Sequence, residues 1–170
     1  MFAVEPTPPT PPGSVVAPNN AGRSALPLPR AGSVLAFDFG GQRIGVAVGE
    51  LELRIAHAVA MIPAVPTVER YRAAERLVKE WRPVLLAVGV PSHPDGRPHP
   101  LAALCRKFAR SLEGRFRIPV VLVDEGLSSA SASRALDEAG IHGRAQKPHL
   151  DAAAAAEILA SLFSDIDARA

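Results

Sequence analysis

The sequence has a single cysteine, Cys105, and few aromatic residues, which make up 5% of its 170 residues. One cysteine cannot form an intrachain disulfide, so a small disulfide-stapled fold is excluded. The five histidines are scattered, and no Cys/His group has the spacing of a zinc site. No uncharged apolar run approaches the roughly 20 residues of a membrane-spanning helix, and the N-terminus lacks the apolar core of a signal peptide. We therefore expect a soluble cytoplasmic protein with no membrane partner.

Neither sign of charge dominates, since 19 Lys and Arg residues stand against 17 Asp and Glu residues. This balance alone indicates no polyanionic partner. The basic residues are nevertheless clustered, because six of them lie between Arg97 and Arg117, where Glu113 is the only acid. A solvated helix face and a nucleic-acid contact both explain such a cluster, and the two interpretations are about equally favoured.

Prolines are concentrated at the N-terminus, where residues 1–32 hold 8 of the 17. Only three residues of this segment are charged, and its Pro-Pro and Pro-Thr steps cannot propagate a helix or donate to a sheet. We expect residues 1–32 to form a disordered tail. Residues 33–166 are then long enough for one domain and too short for two.

Short apolar runs alternate with helical patterns along the rest of the chain. Predicted strands occupy residues 33–39, 44–48, 55–62, 84–90 and 120–123. Predicted helices run from 67 to 81, from 100 to about 112, from 128 or 129 to about 140, and from 149 to 166. The order β-β-β-α-β-α-β-α-α predicts an α/β fold with ribonuclease H-like topology. Its mixed five-stranded sheet would join an antiparallel meander to parallel strands, with helices on both faces.

The first two predicted helices each carry an apolar stripe with intervals of three and four residues. We expect both stripes to face the sheet. The stripe of the first helix contains Val68, Tyr71, Ala74, Val78 and Trp81, and that of the second contains Leu101, Leu104, Cys105, Phe108 and Leu112.

Three acids fall at the ends of predicted elements. Asp38 closes the first strand, Glu125 follows the fifth strand, and Asp151 begins the last helix seven residues before Ile158. Each also has a plainer explanation, as a turn residue, a cap or a first-turn helix aspartate. Ligands collect at the carboxyl ends of strands, and carboxylates gathered there repel one another unless a cation such as Mg²⁺ or Mn²⁺ lies between them. Such a site suits phosphodiester hydrolysis.

Five motifs in order resemble those of the YqgF family of pre-16S rRNA nucleases, which are relatives of Holliday junction resolvases. They are DFGGQRIGVAV from Asp38, IAH from Ile55, VGVPSHPDG from Val88, VDEGLSS from Val123 and LDAAAA from Leu150. The resemblance implies a ribonuclease H-like fold and metal-dependent cleavage of precursor ribosomal RNA. By position it also implies that Asp38, Glu125 and Asp151 are the catalytic and metal-binding acids.

The chain departs from these families at three places, one of which is Ser128 or Ser129, where the pre-16S rRNA nucleases commonly have Thr. Gly126 stands where the pre-16S rRNA nucleases commonly have Arg, which removes one possible phosphate contact. The resolvases carry an acid at the end of the fourth strand, where this chain has Gly89-Val90-Pro91. The sequence therefore favours an RNA nuclease over a resolvase acting on structured DNA.

Four arginines are candidate substrate contacts: Arg43, Arg97, Arg106 and Arg110. The first two could equally be solvated loop residues. Two functions of other classes remain open. DFGGQRIG also resembles the phosphate-binding hairpin of actin-like kinases and ATPases, although those enzymes close two domains around the nucleotide. A catalytically silent RNA-binding module is a further alternative, which the presence of all three acids disfavours.

Overall fold

A computed structural model provides the fold of this chain. It describes residues 15–16, 27–40, 42–92, 95, 97, 99–125 and 146–168, with residues 15–16 and 146–152 described by their backbone alone. The predicted helix between residues 128 and 140 lies outside these ranges. No helix in the described part is long and apolar enough to cross a membrane.

The centre of the fold is a six-stranded sheet with the order β1-β6-β5-β2-β3-β4. Its strands are β1 (Val15–Val16), β2 (Ser33–Phe39), β3 (Arg43–Glu50), β4 (Ile55–Pro63), β5 (Leu85–Val90) and β6 (Val120–Asp124). Strands β2, β3 and β4 form an antiparallel meander, whereas β5 and β6 extend the sheet in parallel from β2. The predicted mixed sheet and its ribonuclease H-like topology are confirmed.

Strand β1 adds a short sixth strand to the five that the sequence predicts. Val15 and Val16 pair antiparallel with β6 at Val123 and Leu122. Further along the segment, Leu28 packs against the core. The prediction that all of residues 1–32 form a disordered tail therefore does not hold at these positions. The pairing has a simple cause, because β6 would otherwise be an open edge and two valines are good strand formers.

Three helices are described: α1 (Thr67–Trp81), α2 (Ala102–Phe116) and α3 (Gln146–Ala168). Helix α3 covers one face of the sheet, where Ile158, Leu159 and Leu162 are fully buried. Helices α1 and α2 cover the opposite face, with α1 over β2 and β4 and α2 over β5 and β6. The sheet is thus buried on both sides, as its nearly unbroken apolar strands predict.

The predicted apolar stripes of α1 and α2 are partly wrong. Leu104 is 49% exposed and Val68 is 60% exposed. Four stripe residues are buried as predicted: Ala74, Cys105, Phe108 and Leu112. The other buried helix residues are alanines that the stripes did not include: Ala73 in α1, and Ala102 and Ala109 in α2. Alanines allow a helix to approach the sheet closely, so the helix face rich in alanine is the one that packs. The large apolar residues beside it are left at the surface.

Candidate active site

Asp38 and Glu125 lie on the same face of the sheet at the carboxyl ends of β2 and β6, the two parallel strands on either side of β5. Ala36 of β2 and Val123 of β6 belong to the core beneath α3, and the two-residue period of a strand puts Asp38 and Glu125 on that face. The backbone N–H of Glu125 donates to the carbonyl of Val90 at 3.1 Å, which continues the parallel pairing beyond the end of β6. The two acids that the sequence predicts at strand exits are therefore brought together.

The Glu125 carboxyl is poorly solvated and lies beside another acid. Burial raises its pKa from 4.5 to about 9, with further contributions from the charge of Asp38, a hydrogen bond with Asp38 and the charge of Asp124. Oε1 of Glu125 is also buried and has no hydrogen-bond partner among the described residues. A buried oxygen without a partner is costly, so this carboxyl is better suited to a ligand than to a structural role.

Gly89 provides the space that the Glu125 side chain occupies. This glycine lies in β5, between β2 and β6 in the sheet, and on the same face as the two acids. A Cβ atom placed there would overlap the Glu125 carboxyl and come within 2.6 Å of Cδ1 of Ile158. Any side chain at position 89 would therefore displace the carboxyl from its present position.

Asp124 occupies the opposite face of the sheet from Glu125. Its Oδ1 accepts a 2.7 Å hydrogen bond from the hydroxyl of Ser92, which follows β5. This hydrogen bond joins the ends of β5 and β6 beside the acid pair. Ser92 was not among the residues predicted from the sequence. A sequence signal for it exists in the two-residue alternation of side chains along β6, which places Asp124 and Glu125 on opposite faces of the sheet.

A divalent cation fits the donors that Asp38 and Glu125 provide. Carboxylate oxygens are the preferred ligands of Mg²⁺ and Mn²⁺, and a cation would satisfy the buried Oε1 of Glu125 and offset the repulsion between the two acids. Within the side chains that the structure describes, no three His, Cys, Asp or Glu residues form a metal-binding group. Asp151 lies in α3, where the structure describes its backbone and not its side chain.

The four candidate substrate arginines lie in different surroundings. Arg97 pairs with Asp95 across 3.2 Å and is highly exposed. Arg43 begins β3, and its carbonyl accepts a hydrogen bond from Gly40 in the turn that follows Asp38. Arg106 and Arg110 are exposed on α2. The structure therefore places Arg43 beside the acid edge and leaves Arg106 and Arg110 accessible to a ligand.

The family of the chain follows from sequence comparison. A family model named RuvX and described as a Holliday junction resolvase matches residues 32–165. The chain belongs to the RuvX family. A relative from Methylobacillus flagellatus, named "Putative pre-16S rRNA nuclease", is 53% identical to this RuvX chain over 144 residues, which cover 83% of this chain and 99% of the relative. The resemblance to pre-16S rRNA nucleases drawn from the five motifs is confirmed.

Two further comparisons accompany this assignment. A relative of the same name from Chromobacterium violaceum is 54% identical over 130 residues, covering 76% of the RuvX chain and 95% of the relative. Among solved structures, Thermus thermophilus RuvC in complex with a Holliday junction substrate matches with a TM-score of 0.47 and 17% identity. That match covers 79% of the RuvX chain and 95% of RuvC.

Proposed function

We propose that this chain is a metal-dependent nuclease that cleaves phosphodiester bonds in precursor 16S ribosomal RNA, in the cytoplasm. The observation that carries this proposal is the Asp38–Glu125 pair, in which a buried carboxylate oxygen has no partner. A protein that keeps two repelling acids at the end of a buried sheet loses stability by doing so, and binding a cation would recover it. Relatives at 53% and 54% identity bear the name of pre-16S rRNA nucleases, which supports the substrate class.

The proposed metal ligands are Asp38, Glu125 and Asp151. When bound, Mg²⁺ or Mn²⁺ would activate a water molecule and stabilise the leaving oxygen of the phosphodiester. Asp38 and Glu125 hold their carboxyl groups against the α3 face of the sheet, and Gly89 leaves the room that Glu125 needs there. Asp151 is proposed as the third ligand because it lies in α3, the helix that covers the same face.

Arg43, Arg97, Arg106 and Arg110 are proposed to contact the RNA backbone. Arg43 is the best placed of the four because it lies in the hairpin that directly follows Asp38. Arg97 would have to exchange its exposed ion pair with Asp95 for a phosphate. Such an exchange costs little, since exposed ion pairs are worth at most about 1 kcal/mol.

Cleavage assays with end-labelled RNA test the proposed function. Precursor 16S rRNA fragments, a four-way DNA junction and single-stranded controls would be incubated with the protein in Mg²⁺, Mn²⁺ or EDTA. We expect cation-dependent cleavage of the precursor RNA, loss of cleavage in Asp38→Asn, and full activity in Glu80→Gln, which removes an exposed acid from α1. Unchanged activity in folded Asp38→Asn would exclude Asp38 as a ligand.

A DNA resolvase is the second candidate function, and the description of the matching family favours it. Against it, this chain has Gly89-Val90-Pro91 at the end of the fourth predicted strand, where the resolvases carry an acid. The DNA junction in the same assay separates the two candidates. Cleavage of the junction at a rate equal to or above that of the precursor RNA would replace the proposed substrate.

A further inference from the structure

A groove runs between α1 and α2 on the face of the sheet opposite the acid pair. It contains two adjoining cavities of about 350 Å³ and 430 Å³, and both are lined by Thr67 and Tyr71. The first cavity also contacts Phe39, the residue that follows Asp38 in β2. Because consecutive strand residues point to opposite faces, the groove begins across the sheet from the acids at the same carboxyl end.

Arg70 lies in the first cavity, where its guanidinium is surrounded by aromatic rings. Its guanidinium carbon is 5.0 Å from the ring centroid of Phe39, 5.8 Å from that of Tyr71 and 5.9 Å from that of Phe108. Its Nε donates a 2.7 Å hydrogen bond to the carbonyl of Ala64. These contacts orient the planar guanidinium, and among the described residues no acid pairs with it.

Arg115 provides a second guanidinium in the groove, stacked on Tyr71. Its guanidinium carbon lies 3.9 Å from the Tyr71 ring centroid, and no acid pairs with it in the described part of the chain. The acid that lines this second cavity, Glu75, is already paired with Lys79 at 3.0 Å. The groove therefore has a surplus of positive charge held on aromatic rings.

Exposed apolar side chains line the same groove. Leu104 and Val65 border the first cavity together with the amine-bearing Lys107, and Val68 borders the second. Val65 and Val68 are each 60% exposed and Leu104 is 49% exposed. Cations spaced along a groove and apolar or aromatic surfaces between them are the features by which proteins bind single-stranded nucleic acid, through phosphates and base faces respectively.

We propose that this groove binds a single-stranded segment of the RNA, with Arg70 and Arg115 on phosphates and with bases against Leu104, Val65 and Tyr71. The inference rests on the proposed function for the identity of the nucleic acid. A chain held in the groove would reach the carboxyl end of β2 at Phe39, next to Asp38. The groove would thus hold the stretch of RNA that adjoins the stretch bound at Asp38 and Glu125.

Binding of a fluorescein-labelled oligouridine, followed by fluorescence anisotropy in EDTA, tests the groove without requiring cleavage. We expect Arg70→Gln/Arg115→Gln to weaken binding about tenfold or more and to reduce the slope of log affinity against log salt by about 0.7 for each lost phosphate contact. Arg76→Gln/Arg82→Gln removes the same number of charges from exposed positions in α1 and at its C-terminal cap that do not line the groove. This control should retain nearly all of the affinity and slope.

Two further variants guard against misfolding. Arg115 is exposed, so Arg115→Gln alone should fold normally and still lose part of the affinity. Arg70→Lys keeps the charge but lacks the planar fork, and it should bind more weakly than the wild type. Equal affinities and salt slopes for the wild type and both groove variants, Arg115→Gln and the double variant, would overturn the inference.

Failure of the groove can be distinguished from failure of the proposed nuclease. A wild-type protein that cleaves precursor RNA while the groove variants bind oligouridine normally would lose the groove and keep the function. A wild-type protein that cleaves nothing but binds oligouridine through Arg70 and Arg115 would keep the groove and lose the function. Polyglutamate tests whether the groove binds any polyanion by charge alone. If polyglutamate at an equal concentration of charge displaces oligouridine from the wild type, the inference is overturned.

Discussion

Replacing Glu125 by Gln should stabilise the metal-free protein. The wild-type carboxyl is largely buried and lies beside Asp38, which raises its pKa to about 9. At neutral pH the folded protein must therefore hold Glu125 protonated, whereas the unfolded chain leaves it ionised. Gln is nearly isosteric, stays neutral in both states, and its amide can donate to Asp38 as the protonated acid does.

The size of the gain follows from the difference between the two pKa values. Because the folded-state pKa is raised, the protein loses stability as the pH rises from the unfolded value of 4.5 towards about 9. At pH 7, protonating one carboxyl with a pKa of 4.5 costs about 3 kcal/mol, at about 1.4 kcal/mol for each pH unit. Glu125→Gln should recover this amount, which corresponds to a rise of about 10 °C in melting temperature for a domain of this size. Below about pH 4 the gain should vanish.

Thermal unfolding in EDTA at pH 4 and pH 7 measures this effect, with the exposed Glu80→Gln as the matched control. Adding Mn²⁺ at pH 7 should stabilise the wild type and should stabilise Glu125→Gln much less, because the variant lacks a charged ligand. A melting temperature for Glu125→Gln at or below that of the wild type at pH 7 would refute the reasoning. An equal gain at both pH values would also refute it, since the cause would then be unrelated to ionisation.

Three other predictions concern neighbouring features. Gly89→Ala should lower stability by about 1–3 kcal/mol and abolish cleavage by displacing Glu125, whereas Gly114→Ala, where a Cβ meets no atom within 4 Å, should be neutral or stabilising in unfolding and cleavage assays. Replacing Arg106 and Arg110 by Glu should weaken the binding of RNA of every sequence alike and reduce the salt dependence of that binding. Unaltered binding would show that this face of α2 is only solvated. Burial raises the pKa of Cys105 to about 12, so a thiol reagent at pH 8 should modify it only after unfolding; rapid labelling of the native protein would contradict this.

The sheet and its acids could be predicted from the sequence because strands carry local signals. The run from Ser33 to Phe39 is apolar except at Ser33 and Asp38, which indicates a buried strand with one acid at its exit. The place of Asp38 and Glu125 on one face could not be predicted from the strands separately, because it follows only from the packing of Ala36 in β2 and Val123 in β6 beneath α3. Their closeness then follows from the parallel order of β2, β5 and β6.

The faces of α1 and α2 could not be predicted in the same way. An apolar stripe shows which residues are able to pack, but the distance between helix and sheet decides which of them do. Ala74 and Ala109 allow close approach, and this rotates Leu104 and Val68 towards solvent. The pairing of Val15 with β6 was missed for a related reason, since an isolated pair of valines in a proline-rich segment becomes a strand only when an unpaired edge is nearby.

The side chain of Glu125 occupies the space that a side chain at position 89 would need, although the two positions are 36 residues apart along the chain. A family member with a longer side chain at the first position must have a shorter or differently directed one at the second. Substitutions at the two positions should therefore be tolerated in pairs and rejected singly. A library that randomises both positions and is selected for folded, active protein would reveal this, with Gly-Glu among a small set of size-compensated combinations.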